Sequence, residues 1–300
     1  MFEAVALTNF KGLQQNATLP LGQFTLMVGC KGSGKSTAVQ GFAAHFLSGD
    51  RWSYDSVKRH GLQPERGVSS HARWKEAGNE WYGRLCWSKD SRDAKGRHYL
   101  YPISGEADGM LAALRNAFFL DPIAMAEKAW LKNCCPYLDP DGRNLARMLK
   151  ILQQEGLAQF RDLSREFIQW MPQFAEIELL QPQRGYRAIA FRDHQGGCIP
   201  AADLPRGPLL ILGLLSLRYF VKASMIALDE PDAGLTVAQK LMLRDWLVRV
   251  AFPNSSCGMV APIQVALSTG DLAFAELFDG QPATVVPSQW TAYTRCARFG

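Results

Sequence analysis

The sequence predicts an α/β fold, a sheet covered by helices, and three features carry that prediction. In "LMVGCKGSGKSTAVQGF" an apolar strand runs into a glycine-rich turn and then into a helix. In "SMIALDE" a second apolar strand ends in two acids. From Gly207 onward helix and strand alternate to the end, through "GPLLILGLLSLRYF", "SMIALDE", "VAQKLMLRDWLVRVA", "IQVALS", "LAFAELF" and "ATVVP".

The elements can be justified in chain order. Residues 2–28 alternate and turn like a small meander, "FEAVAL", "ATLPLG" and "QFTLMV". The helix that opens at the glycine-rich turn is expected from Lys35 to about Leu47. The polar stretch from Arg51 to Asn79 has no clear period and reads as a loop-dominated insertion. "EWYGRLCWS" and "RHYLYPI", on either side of the charged turn "KDSRDAKG", predict an antiparallel hairpin. Residues 109–171 read as helical, with Leu145, Met148, Leu149 and Leu152 on one face as a core stripe. "AEIELLQ" and "RAIAFRD" predict a second hairpin. No heptad array is sustained, so long coiled-coil arms are not expected.

Composition narrows the function classes. The chain has 300 residues, enough for one large domain or two small ones, with ordinary globular proportions. No run of about eighteen apolar residues suggests a membrane span, and "MFEAVALTNFKG" lacks the layout of a signal peptide and reads as a first strand. The seven cysteines are scattered without a C-x-x-C pair, so neither a disulfide framework nor a zinc site is expected, and a reduced, cytoplasmic protein is. A net charge of +5, spread along the chain, permits contact with DNA or RNA without arguing for it.

Gly29-x4-Gly34-Lys35-Ser36 is a complete P-loop in the strand–turn–helix context it requires. Glycines let backbone N–H groups close around a phosphate, and the helix N-terminus adds positive potential. Gly29, Cys30, Lys31, Gly32, Ser33, Gly34, Lys35, Ser36 and Thr37 are therefore the expected nucleotide-binding stretch. Lys35 should reach the β- and γ-phosphates, and the Ser36 hydroxyl should bind Mg²⁺. Met225–Leu228 would deliver Asp229 to the metal, through a water, and Glu230 to the attacking water as general base.

The long gap between these motifs, filled by a hairpin and a helical block, resembles ABC-type ATPases of the RecF and chromosome-maintenance (SMC) class. "LTNFKGLQQNATLPLGQFTLMVGCKGSGKST" is similar to that class's opening strand, turn and P-loop. "YLDPDGRNLARMLKIL", "FIQWMPQFAEIEL", "CIPAADLPRGPLLILGLLSL", "ALDEPDAGL" and "IQVALSTGDLAFAELFD" resemble its compact branch without coiled coils, and the insertion around residues 51–105 is the least matched part. The resemblance implies a P-loop NTPase fold with ABC-ATPase-head architecture: a mixed central sheet flanked by helices, with antiparallel hairpins and a helical insertion. A single head would span 1–300. Within it, 1–50 would form the β meander and P-loop helix, 51–200 the insertion, and 201–300 the signature-like segment, second carboxylate motif and C-terminal α/β part. It further implies that two heads close face to face on ATP and Mg²⁺, each ATP meeting the partner's signature segment. That segment is here "LPRGPLL", in which Arg206 and Gly207 supply the remaining donors.

Four positions depart from the class. Pro205 replaces the signature serine, losing a hydroxyl and an N–H; one missing charge-assisted bond is worth roughly 1.5–3 kcal/mol. Gly270 aligns with the switch histidine that contacts the γ-phosphate; Lys31 and Thr236 stand where asparagine and histidine are frequent. With Lys35, Ser36, Asp229 and Glu230 intact, the expectation is a slow ATPase: an ATP-gated dimerising switch for an effector such as a nuclease, in DNA repair or defence against mobile elements. The alternative is a non-hydrolysing module whose bound ATP is structural; a stand-alone nucleotide kinase lacks an obvious acceptor lid. Phe10 and Lys11 could lie near adenine or ribose, or be packing and a solvated charge. Trp74, Trp81 and Trp87 could stack on bases or pack a hairpin, and Cys134–Cys135 could be redox-active or buried thiols.

Overall fold

The structure, a computed structural model, describes residues 1–11, 17–45, 68–76, 79–87, 97–104, 116–131, 137–253, 261–280, 284–287 and 297–298. The chain forms two compact units. The first comprises Met1–Ala117, Ser224–Pro231 and Arg244–Gly300; the second comprises Phe118–Ala223 and Asp232–Leu243.

In the first unit, an antiparallel sheet is built from β1 (Phe2–Thr8), β2 (Ala17–Pro20), β4 (Val68–Glu76), β5 (Asn79–Trp87) and β6 (Arg97–Ser104), in the order β2-β1-β4-β5-β6. Strand period sends Val5, Leu7, Val68, Ala72, Leu85 and Trp87 to one buried face, and a register shift between Phe2 and Ala4 lets Phe2 be buried as well. Helix α1 (Lys35–Ala43) packs against it, with Phe42 meeting Phe2 edge to face at 4.9 Å between ring centroids. A Cβ at Gly41 would lie 2.6 Å from Leu7 Cδ2, so helix and sheet approach at a residue without a side chain.

Two expectations change here. β4 falls in the stretch read as loop, yet it is a nine-residue strand paired on both sides. Among its described side chains the buried ones are Val68, Ser70 and Ala72, all of moderate or small size and one of them polar, so the strand period is weak in the sequence. Ser70 is buried because its hydroxyl donates to Gly41 O at 2.9 Å and pairs with His45 Nε2 at 2.8 Å. The second change concerns β3 (Phe24–Val28), expected to continue the meander. It lies instead in another sheet, order β15-β14-β3-β13-β12-β7, whose strands are β7 (Ala117–Phe119), β12 (Met225–Asp229), β13 (Gln264–Thr269), β14 (Thr284–Pro287) and β15 (Ala297–Arg298). β3, β12, β13 and β14 run parallel. Continuous burial of Phe24–Met27, rather than alternation, is the mark of a strand covered on both faces. Gln264 ties the two sheets: its amide accepts from Phe2 N and donates to Phe2 O, both at 2.7 Å, and donates to Gly22 O at 2.8 Å.

The β5–β6 hairpin is found, its turn lying outside the described residues. Trp87 is a core residue, 5.6 Å from the ring of Phe10, which is itself fully buried, so both pack rather than stack on a ligand. The side chains of Trp74 and Trp81, and Cys134 and Cys135 entirely, lie outside the described residues.

In the second unit, residues 118–130 do not form the continuous helix expected, but hold the end of β7, the short helix α2 (Pro122–Ala126) and β8 (Ala129–Trp130). Proline at the first helical position and Asp121, accepting from Ile123 N at 3.0 Å, start α2. Helices α3 (Leu145–Glu155) and α4 (Leu157–Trp170) follow. Leu145, Met148 and Leu149 are buried as the stripe predicts, with Leu152 half-buried. The expected second hairpin is β9 (Phe174–Leu180) with β10 (Tyr186–Asp193), extended by β11 (Cys198–Pro200). Phe167, Phe174 and Phe191 stack at 4.9–6.2 Å between centroids. Helix α5 (Arg206–Phe220) is buried from Gly207 to Leu217, apolar all round as an enclosed helix must be. Helix α6 (Val237–Ala251) crosses the division between units, and α7 (Leu272–Glu276) belongs to the first.

Candidate nucleotide site

The parallel strands place their carboxyl ends at one edge of the sheet, where α/β proteins gather ligand-binding groups. β3 ends at Val28 and delivers the turn 29–34; β12 ends at Asp229; β13 lies between them and ends at Thr269. The turn is pinned by Gly29 N donating to Thr269 O at 3.2 Å and Ser33 N donating to Cys30 O at 3.3 Å. Gly32 and Gly34 adopt φ of +82° and +92°, the left-handed region that costs glycine nothing. Cys30, Lys31 and Gly32 are exposed, Ser33, Ser36 and Thr37 half-buried.

Lys35 is only 3% exposed, and its ammonium sits 2.8 Å from Glu230 Oε1. The P-loop lysine and the candidate general base, far apart in sequence, are thus in contact. Glu230 holds a left-handed φ of +48°, a strained conformation for a side chain of its size. Its N–H donates to Ser268 O at 3.0 Å and Ser268 Oγ at 3.2 Å, while the Ser268 hydroxyl donates to Asp229 Oδ1 at 2.6 Å. Lys11 reaches into the same region. It donates to Gln40 Oε1 of α1 at 2.5 Å, and burial pushes its ammonium below the usual lysine range, partly opposed by the Asp229 charge. Lys11 is thus half-buried and hydrogen-bonded to α1. Ser268 and Lys11 are the residues sequence reasoning undervalued; the first was legible only as a polar residue at a strand's end.

The residues fit a nucleoside triphosphate and its metal on three observations. A Cβ at Gly32 would meet nothing within 4 Å, so the turn is open to a ligand. Ser33 Oγ is buried with no hydrogen-bond partner, and α1 has no side-chain cap on its first turn. Among the described residues no group of three or more His, Cys, Asp or Glu forms a metal site; Mg²⁺ needs only one or two protein ligands when phosphates and waters supply the rest. Arg206 and Gly207 lie in the second unit, at the first turn of α5. Arg206 is exposed, whereas Gly207 is buried, where a Cβ would lie 2.7 Å from Leu235 Cδ2. Thr236 has a local role: its N–H donates to Gln239 Oε1 at 2.9 Å and its hydroxyl accepts from Gln239 N at 3.4 Å, a capping box for α6.

A P-loop strand, a parallel carboxylate strand and a flanking antiparallel sheet define the fold of an ABC-type ATPase head. Comparison with solved structures agrees. An SMC head bound to the C-terminal winged-helix domain of ScpA is similar at a TM-score of 0.60, with 16% identity over 95% of this chain and 93% of that one. The SMC head domain from Thermotoga maritima matches at a TM-score of 0.49, with 16% identity over 95% of this chain and 94% of that one. The fold conclusion rests on the first of these. No protein-family model matches the chain. No curated protein matches it by sequence. Among the described residues no helix is long and apolar enough to cross a membrane.

Proposed function

We propose that the chain binds ATP with Mg²⁺ at residues 29–37 and hydrolyses it slowly, as an ATP-gated, dimerising switch for a protein effector. The observation that carries this reading is the Lys35–Glu230 contact at 2.8 Å. In it, the charge that would hold the phosphates and the carboxylate that would take a proton from water already occupy one place. Lys35 would exchange the carboxylate for phosphate oxygens, leaving Glu230 beside the reacting group. Ser36 and Asp229 would hold the metal, which supplies neutralisation of developing charge. Arg206 and Gly207 would meet the nucleotide of a second head. The SMC head in the compared complex binds a protein partner; a protein effector for this chain, nuclease or otherwise, in DNA repair or mobile-element defence and within the cytoplasm, is proposed by that analogy.

Phosphate release by wild type and Glu230→Gln tests it. The proposal expects slow release by wild type and loss of at least tenfold in the variant, with ATP still bound. The variant should double its mass in ATP and Mg²⁺. Equal background rates with ATP retained would support instead a module whose nucleotide is structural.

A further inference from the structure

The carboxyl end of β13 does more than separate the two motif strands. β12 and β13 are parallel and in register, with Asp229 opposite Ser268. Ser268 is fully buried, so its hydroxyl has no solvent to satisfy it. A serine hydroxyl offers one proton and two lone pairs. Here the proton goes to Asp229 Oδ1 at 2.6 Å, and a lone pair accepts from Glu230 N at 3.2 Å. The first bond has the short length of a charge-assisted O–H···O⁻ contact. It commits one carboxylate oxygen and fixes the rotation of the group, leaving Oδ2 to turn toward a cation. The second helps to hold Glu230 at φ +48°, a conformation that persists only when its surroundings over-determine it.

We propose that Ser268 is a positioning residue for both carboxylates. It orients Asp229 for the metal and fixes the backbone turn that aims Glu230. The inference rests on the nucleotide-site reading above. Neither bond is replaced in Ser268→Ala: Asp229 loses its anchor, and Glu230 N keeps only the Ser268 carbonyl position. Groups that orient a metal ligand are typically worth 10–100-fold in metal affinity.

The test uses the full chain and a fluorescent ATP analogue titrated with Mg²⁺. In Ser268→Ala the Mg²⁺ midpoint of nucleotide binding should rise by roughly 10–100-fold. Binding in chelator and the melting temperature should stay near wild type, because a structural role alone would move the melting temperature and not the metal midpoint. Ser268→Thr, which keeps the hydroxyl, should restore the midpoint. Should the alanine variant not fold, Ser268→Cys keeps the volume with a weak donor and should show the same rise. A midpoint equal to wild type in either variant overturns the positioning role while leaving the site intact. Wild type that binds no nucleotide overturns the site reading, and this inference with it.

Discussion

Glu230 and Lys35 neutralise each other before any ligand arrives. Removing Glu230 leaves the Lys35 ammonium, only 3% exposed, without its compensating charge, a loss worth roughly 3 kcal/mol or more. Glu230→Gln should therefore melt earlier than wild type without nucleotide. It should gain more than wild type from added ATP, since the triphosphate then supplies the missing negative charge. Differential scanning fluorimetry with and without ATP checks both halves; an equal ATP-induced shift in the two proteins counts against the exchange of partners at Lys35. Gly270 offers a second test at this scale. A Cβ there would lie 3.4 Å from Gly29 O and 3.5 Å from Lys35 Nζ, ordinary contact distances, so a larger side chain has room to begin. If this is the position of the missing switch histidine, Gly270→His should raise ATP turnover about tenfold or more. Unchanged turnover in a folded variant would place the switch elsewhere.

At the scale of elements, Thr236 shows how one substitution can serve a local purpose. Thr236-Val-Ala-Gln239 is a capping box, and its reciprocal bonds are present. Thr236→Ala should cost about 1 kcal/mol, read as a lower denaturation midpoint with nucleotide affinity unchanged. The glycine-rich turn, β12 and the two hairpins were legible because their signals are local: a motif, an apolar run, an alternation. Four elements were not. β4 hides its period because Ser70 and Ala72 occupy inward positions, and burying Ser70 depends on Gly41 and His45, which no window of sequence contains. Chain proximity, which usually predicts pairing, points to β2 as the neighbour of β3. Its partners are instead β13 and β14, from the far end of the chain. The short α2 and β8 leave no signal of their own within a stretch that reads as helical, because neither is long enough to show a period.

For the whole molecule, the fold follows from where the chain returns. Strands from distant parts of the chain build this sheet, and the P-loop and the acidic pair are neighbours across β13, which lies between their strands. The motif residues were legible in the sequence; that Ser268 would bridge the two acids, and that Lys35 would rest on Glu230, were not, because the first depends on cross-strand register and the second on where the start of α1 meets the end of β12. The likeness to an SMC head at 16% identity shows a similar fold reached by a very different sequence. The account stands or falls on ATP occupying the turn at 29–36 through Lys35. Isothermal titration calorimetry of wild type and Lys35→Ala with ATP and Mg²⁺ measures this directly. The account predicts saturable one-site binding in wild type and a loss of at least a hundredfold in affinity, roughly 3 kcal/mol, in the variant. Equal affinity in the two proteins would contradict it.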